Sequence, residues 1–229
     1  MELTDALRTT ASVRSFTDEP VSDVVLYSIL DDARFAPSGG NRQAWRVIVV
    51  KDERRRRAIR DLYLDGWHDY VAHVLAGLIP FSPLASEDDR AAASAQRAAA
   101  IDVSKPDSFP ETLDRVPVML VICADLNALA ATDRDLGRYQ IAGGASIFPF
   151  VWNILLAARA RGLGGVMTTI ATRNESGVRE VLDIAPDQIV ASIVALGHPA
   201  SRVTKLKRHA VEEFTTIDAF DGQRFAVKD

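Results

Sequence analysis

The sequence predicts an α/β or α+β sandwich, in which helices cover a sheet of short strands. Three observations predict it. Helix-like and strand-like segments alternate after a helical start. The strand-like segments are short and either β-branched or apolar throughout, Val116 to Ala124 being the longest such run. From Tyr139 to Ala158 no residue is charged, as a helix buried in a protein core demands.

Residues 2–9 form a short helix in this reading, followed by a turn through Ser12-Val13-Arg14-Ser15-Phe16-Thr17-Asp18-Glu19-Pro20. Ser22 caps a second helix to about Phe35, with Val25, Ile29 and Ala33 on one face. Pro37-Ser38-Gly39-Gly40-Asn41 ends it, because proline biases its predecessor away from helix and the glycines tolerate positive φ. Trp45 to Val50 is β-branched and short, hence a strand, and Asp52 caps a long helix through Arg57, Leu62 and Val71. Residues 80–115 mix Pro80, Pro83, Pro106 and Pro110 with an alanine-rich stretch, and stand as a variable lid or insertion. Val116 to Ala124 is a strand buried on both faces. The uncharged helix follows, then a third strand from Leu163 to Ile170, a helix from an Asn174 cap to about Leu182, and a fourth strand from Ile189 to Leu196. The tail from His198 carries Lys205, Lys207 and Arg208, then Glu212 and Glu213.

A chain of 229 residues fits one compact domain, 1–229, and buries enough surface to need no metal or disulfide staples. With 48% hydrophobic and 25% charged residues it is neither disordered nor fibrous. A net charge of -4 argues against nucleic acid, which requires a basic field. Cys123 is the only cysteine, so no intramolecular disulfide or cysteine zinc cage can form and a reducing compartment is expected. The N-terminal segment has acidic residues and no apolar core, unlike a signal peptide, so a cytoplasmic location is expected. The uncharged stretch is long enough to cross a bilayer, but it contains Gly143, Gly144, Ser146, Pro149 and Asn153, and burial in the core is the expectation instead of a membrane span.

Several signatures are absent: the phosphate loop Gly-x-x-x-x-Gly-Lys-Ser/Thr, Gly-x-Gly-x-x-Gly after the first strand, His-Glu-x-x-His and Gly-x-Ser-x-Gly. Nucleotide hydrolysis, Rossmann dehydrogenation, zincin proteolysis and serine-hydrolase chemistry lose ground accordingly. His68 and His73 stand about 140° apart around a helix and do not share a metal. The run Arg54 to Arg57 reads as a solvated face, with a weak attraction for an anionic cofactor as the other reading.

Three segments carry chemistry when taken together. Ser12-Val13-Arg14 lies in an early turn and Leu206-Lys207-Arg208 near the end, and both offer groups that suit a phosphate. The loop Pro37-Ser38-Gly39-Gly40-Asn41-Arg42-Gln43 offers backbone and amides that suit a flat heterocycle. The stretch Arg8 to Phe16, the loop Ala36 to Trp45 and the segment Gly162-Leu163-Gly164-Gly165 together resemble the flavin-dependent nitroreductase family, over about residues 3–213.

That resemblance implies a nitroreductase-like α+β fold: a mostly antiparallel sheet of four to five strands flanked by helices, in an intertwined homodimer embraced by the tail 198–229. It implies FMN, with its phosphate against Ser12 and Arg14 at one end and Lys207 and Arg208 at the other. Pro37, Ser38, Gly39, Asn41 and Gln43 would line the isoalloxazine, and Gly164, Gly165, Val166 and Thr168 would face its N5 edge. Ser38 to Gln43 and Ser146 would reach the flavin of the other subunit. The family usually carries basic residues where Thr10 and Ala11 stand and proline where Ala44 stands; Arg8 is near enough in sequence to compensate, and Thr10→Arg is expected to tighten FMN binding.

The implied activity is hydride transfer from NADPH or NADH through FMN to flat, electron-poor acceptors such as nitroaromatics and quinones, in a ping-pong cycle with no side-chain general base. The alternatives are a specialised relative, such as a reductive dehalogenase or flavin-consuming enzyme, and a non-catalytic flavin-binding protein. Thr168-Thr169 resembles the threonine-rich segment of the deiodinase-like branch, whereas Asn41 and Gln43 stand where that branch more often has His and Glu.

Overall fold

The computed structural model describes residues 1–203 and 205–227. Its sheet has four strands, β1 (Trp45–Val49), β2 (Val118–Asp125), β3 (Gly164–Thr168) and β4 (Gln188–Gly197), in the order β1-β2-β4-β3 with every pair antiparallel. β2 is buried at every position because it is central and covered on both faces. Its side chains alternate between two cores, as strand geometry requires. Val118, Leu120, Ile122 and Ala124 pack towards α2 (Asp23–Ala33) and α6 (Phe148–Ala160), whose Ile29, Ala33, Val151 and Ile154 share that core. Met119, Val121 and Cys123 pack towards α3 (Glu53–Leu75) and α7 (Glu175–Val181), with Ile59, Tyr63 and Val178. The molecule is therefore the α+β sandwich expected, helices on both faces of an antiparallel sheet.

The local signals act where they were read. Ser22 Oγ accepts a hydrogen bond from the Val25 amide at 3.3 Å, and Asp52 Oδ1 accepts one from the Arg55 amide at 2.9 Å, so α2 and α3 start on side-chain caps. α1 (Leu3–Thr9) packs on α6.

Four expectations are corrected. The uncharged stretch is not one helix: a 3₁₀ turn at Ala142–Ser146 precedes α6, which begins only at Phe148, and Tyr139 and Ile141 are 72% and 73% exposed. Gly143 and Gly144 disfavour helix, whereas Pro149 suits a first turn where no amide partner is needed. Asp133 pins this irregular segment by accepting hydrogen bonds from the Ile141 and Ala142 amides at 2.8 and 3.1 Å. Asn174 stands at the N-cap position of α7 but its side chain makes no capping bond; its amide donates instead to the Leu62 carbonyl at 2.8 Å and to Asp65 at 3.0 Å, tying the turn to α3. The third strand ends at Thr168, where the chain enters a 3₁₀ turn, Ile170–Asn174. On α2 the deeper contact is Leu26 and not Val25.

Residues 80–115 are more regular than their composition suggests. α4 (Glu87–Ala95) starts on a reciprocal Ser86–Asp89 capping box, and α5 (Arg97–Asp102) follows directly. Both pack on α3, where Arg97 forms ion pairs with Asp65 and Asp69. Among the described residues no helix is long and apolar enough to cross a membrane.

Cys123 lies in the core beneath α3 and α7, and burial, with Glu175 adding to it, pushes its thiol up to about 11. The native protein should therefore give no reaction with a thiol reagent at pH 8 and one equivalent after denaturation. Rapid native labelling would show that the sheet opens.

Candidate functional site

The turn after α1 is laid along the free edge of β3. The Val13 amide donates to the Gly165 carbonyl at 2.9 Å, Ser12 bridges Gly165, and Thr17 and Ala200 exchange backbone bonds with His198 and Ser15 at 2.8 and 3.0 Å. This close approach needs glycine: a Cβ on Gly164 would lie 2.7 Å from Val13 Cγ2. Ser12 and Arg14 are exposed here, and among the described residues neither side chain is spent on a hydrogen bond or ion pair. Beside them the Tyr63 hydroxyl lies 3.1 Å from Thr168 Oγ1. Burial pushes the Tyr63 phenol up, against the opposing pull of the Thr168 bond and of the Arg14 charge, so it keeps its proton at neutral pH. Arg14, Tyr63 and Thr168 thus meet at one edge of the sheet, and Tyr63 is a member that the sequence did not disclose.

The loop before β1 is a second cluster. Ser146 Oγ accepts the Gly39 amide and Ser38 Oγ accepts the Gln43 amide, each at 3.0 Å. Gly40, Asn41 and Gln43 have φ of 62°, 53° and 50°, the left-handed region that glycine and asparagine tolerate best. The loop therefore holds the side chains of Asn41 and Gln43 outward, 3.4 Å from one another.

The structure does not bring the two clusters together within one chain. Trp45, which follows the loop, pairs with Ala124 and so lies level with Ile189, whereas Gly165 pairs with Leu196 on the far side of β4. Seven residues along the strands and three strand spacings across them separate the corners by roughly 28 Å. That exceeds the length of a mononucleotide cofactor.

The other expected residues are placed as follows. Gly165 and Val166 are buried in β3, and Pro37 is exposed at the start of the loop. Arg8 is exposed on α1. Lys207 and Arg208 are exposed in the tail, where Arg208 donates to the Lys207 carbonyl at 2.6 Å; the tail leaves from the Phe16–Pro199 bridge, on the same edge as Ser12. Thr10 is 7% exposed and its hydroxyl donates to the Ala6 carbonyl at 2.7 Å, closing α1. Replacing it by arginine would remove the bond that closes α1, so Thr10→Arg is not expected to tighten FMN binding.

Two cations were missed. Arg159 donates to Thr9 Oγ1 at 3.2 Å and Arg202 to the Gly162 carbonyl at 3.2 Å, and both line a small cleft with Thr10, Ala11, Gly164 and Gly165. They place positive charge where Thr10 and Ala11 offer none. Arg159 precedes Gly162-Leu163-Gly164 by less than one turn, a proximity that was the only signal in the sequence. Among the described residues no group of three or more His, Cys, Asp or Glu could hold a metal ion.

The Nitroreductase family matches residues 7–198, spanning both clusters. The chain belongs to the nitroreductase family. It is an oxidoreductase, and members of that family are typically flavin-dependent. It is 26% identical over 221 residues to the nitrobenzene nitroreductase of Ectopseudomonas oleovorans, covering 93% of this chain and 95% of that one. It is 25% identical over 217 residues to the FMN reductase (NAD(P)H) of Bacillus subtilis, covering 90% and 70%. Among solved structures, a mutant of the FMN and NADPH-dependent nitroreductase NfnB from Sphigopyxis sp. strain HMH superposes with a TM-score of 0.64 at 25% identity, covering 96% of this chain and all of that one.

Proposed function

We propose that this nitroreductase-family chain is an FMN-dependent NAD(P)H oxidoreductase that reduces flat, electron-poor acceptors such as nitroaromatics and quinones, working as a homodimer. The observation that carries this reading is the separation of the two clusters. A phosphate-type turn and a heterocycle-type loop at opposite corners of one sheet become a single site only when a two-fold partner sets its loop against this chain's turn. The outer face of the α2 and α6 layer supports the same arrangement, since it leaves Tyr27, Phe35, Phe148 and Trp152 exposed.

The residues present fit FMN. Ser12 and Arg14 offer donors that have no partner among the described residues, suited to phosphate oxygens, and Arg159, Arg202, Lys207 and Arg208 add charge on the same edge. Asn41 and Gln43 present amides that can read the polar edge of a heterocycle. Bound there, FMN would supply a carrier that accepts a hydride from a nicotinamide and passes two electrons to the acceptor. Tyr63 stays protonated and its hydroxyl hydrogen-bonds with Thr168, which would fix the end of β3 where the ring edge is expected. No side-chain base is called for, and the protein's part is to bind, orient and exclude water.

The test is an absorbance spectrum after FMN soaking, followed by NADH and NADPH consumption with a quinone acceptor. Absence of flavin bands would sink the reading; flavin without turnover would leave a flavin-binding protein only. Arg14→Ala should weaken FMN binding by about tenfold or more, the loss of one charge-assisted contact of about 1.5–3 kcal/mol. FMN titration into stripped protein measures it, and parental affinity in Arg14→Ala would move the phosphate away from this turn.

A further inference from the structure

A cleft opens where β3 ends, between α3, α4 and the 3₁₀ turn that follows Thr169. It begins about 9 Å along α3 from Tyr63, so it adjoins the edge that Thr168 marks. Two guanidinium groups face it, Arg90 from α4 and Arg173 from the turn, and neither is ion-paired among the described residues. Arg90 donates one hydrogen bond, to the Ala85 carbonyl at 3.2 Å, and keeps its other donors. The carboxylate in the wall, Asp69, is paired with Arg97, which it shares with Asp65, so Arg90 and Arg173 are the cations of the cleft that no ion pair occupies among the described residues.

Aromatic rings line part of the cleft. Phe81 holds a φ of 55°, a costly conformation for an aromatic residue and one found where the surroundings impose it. There its ring lies 5.1 Å from the Arg173 guanidinium and 5.1 Å from the His73 ring, and Tyr139 lines the same cleft. Ring faces beside unpaired guanidinium groups recognise a planar ligand that carries a negative charge.

Resting on the FMN reading above, we infer that this cleft selects acceptors that are aromatic carboxylates, with Arg90 and Arg173 as the residues that set the preference. The reacting group would point to the Thr168 edge and the carboxylate to the two arginines. In the flavin-loaded protein, kcat/KM for 3-nitrobenzoate should exceed that for the neutral isostere 3-nitrobenzamide. The ratio should fall about tenfold in Arg90→Gln and in Arg173→Gln. Benzoate binding, followed by saturation-transfer NMR on flavin-free and flavin-loaded protein, should weaken in parallel and requires no turnover. An unchanged ratio in both variants overturns the inference. So does a rise in KM for NADPH but not NADH, which would assign the cations to the dinucleotide's 2′-phosphate. Turnover of neutral acceptors without benzoate binding would overturn it while leaving the FMN oxidoreductase reading intact. Arginine-dependent benzoate binding with no turnover of any acceptor would instead sink the enzyme reading and support the anion specificity.

Discussion

Trp152→Glu should convert the protein into a folded monomer that no longer retains flavin. Trp152 and Phe148 are 40% and 39% exposed on the outer face of α6, in the layer that a partner subunit would cover. Two-fold symmetry places the substitution at the interface twice, so two carboxylates lose water in a mostly apolar contact. At about 2 kcal/mol or more for each, the dimer dissociation constant rises by about a thousandfold. Sedimentation velocity at micromolar concentration should show half the parental mass, with an unchanged far-ultraviolet spectrum and the yellow colour lost on gel filtration. A variant that is monomeric and still holds FMN at parental affinity would show that one chain makes the whole site.

Gly165→Val should destabilise the sheet strongly, although valine is otherwise a favourable strand residue. A Cβ at this position would contact Leu196, lie 2.8 Å from the Ala195 carbonyl and 3.0 Å from a Leu155 methyl. The carbonyl belongs to the strand ladder and cannot withdraw, so β3 itself must shift. The expected cost is about 3 kcal/mol, or a Tm lower by roughly 6–12 °C for a chain of this size. Gly137→Ala is the control, because nothing lies within 4 Å of the added atom and its Tm should hold within about 2 °C. Equal effects in thermal denaturation would mean that the close approach of β3 to β4 is not what requires glycine.

Which of these features the sequence disclosed follows from how far apart the interacting residues are. The Ser22 and Asp52 caps join residues three apart, and their side-chain chemistry stands in the local sequence. β2 was legible because a strand covered on both faces leaves an unbroken apolar run. The loop 37–43 was legible for the same local reason, since left-handed backbone selects glycine and asparagine. The Tyr139 to Ala158 stretch misled because an all-apolar segment carries no periodicity to show where helix begins. The Ser86 capping box is equally local, joining residues three apart, but it stands in a proline-rich segment whose composition suggests irregular chain. Tyr63 and Arg159 could not be found locally: their partners Thr168 and Thr9 lie 105 and 150 residues away. Only the fold makes them neighbours.

α3 has a consequence for how this protein can diversify. Tyr63, at the sheet edge, and His73, in the far wall of the cleft, stand on one uninterrupted helix. Ten residues of helix fix their spacing at about 15 Å whatever the loops around them do. The helix is a ruler and the segment beyond it supplies interchangeable upholstery. Exchange of residues 80–95 can retune charge and shape at the mouth, as with Phe81 and Arg90, without altering the depth at which a guest meets the sheet. New specificities can then arise by grafting that segment alone, the scaffold being indifferent to what it displays.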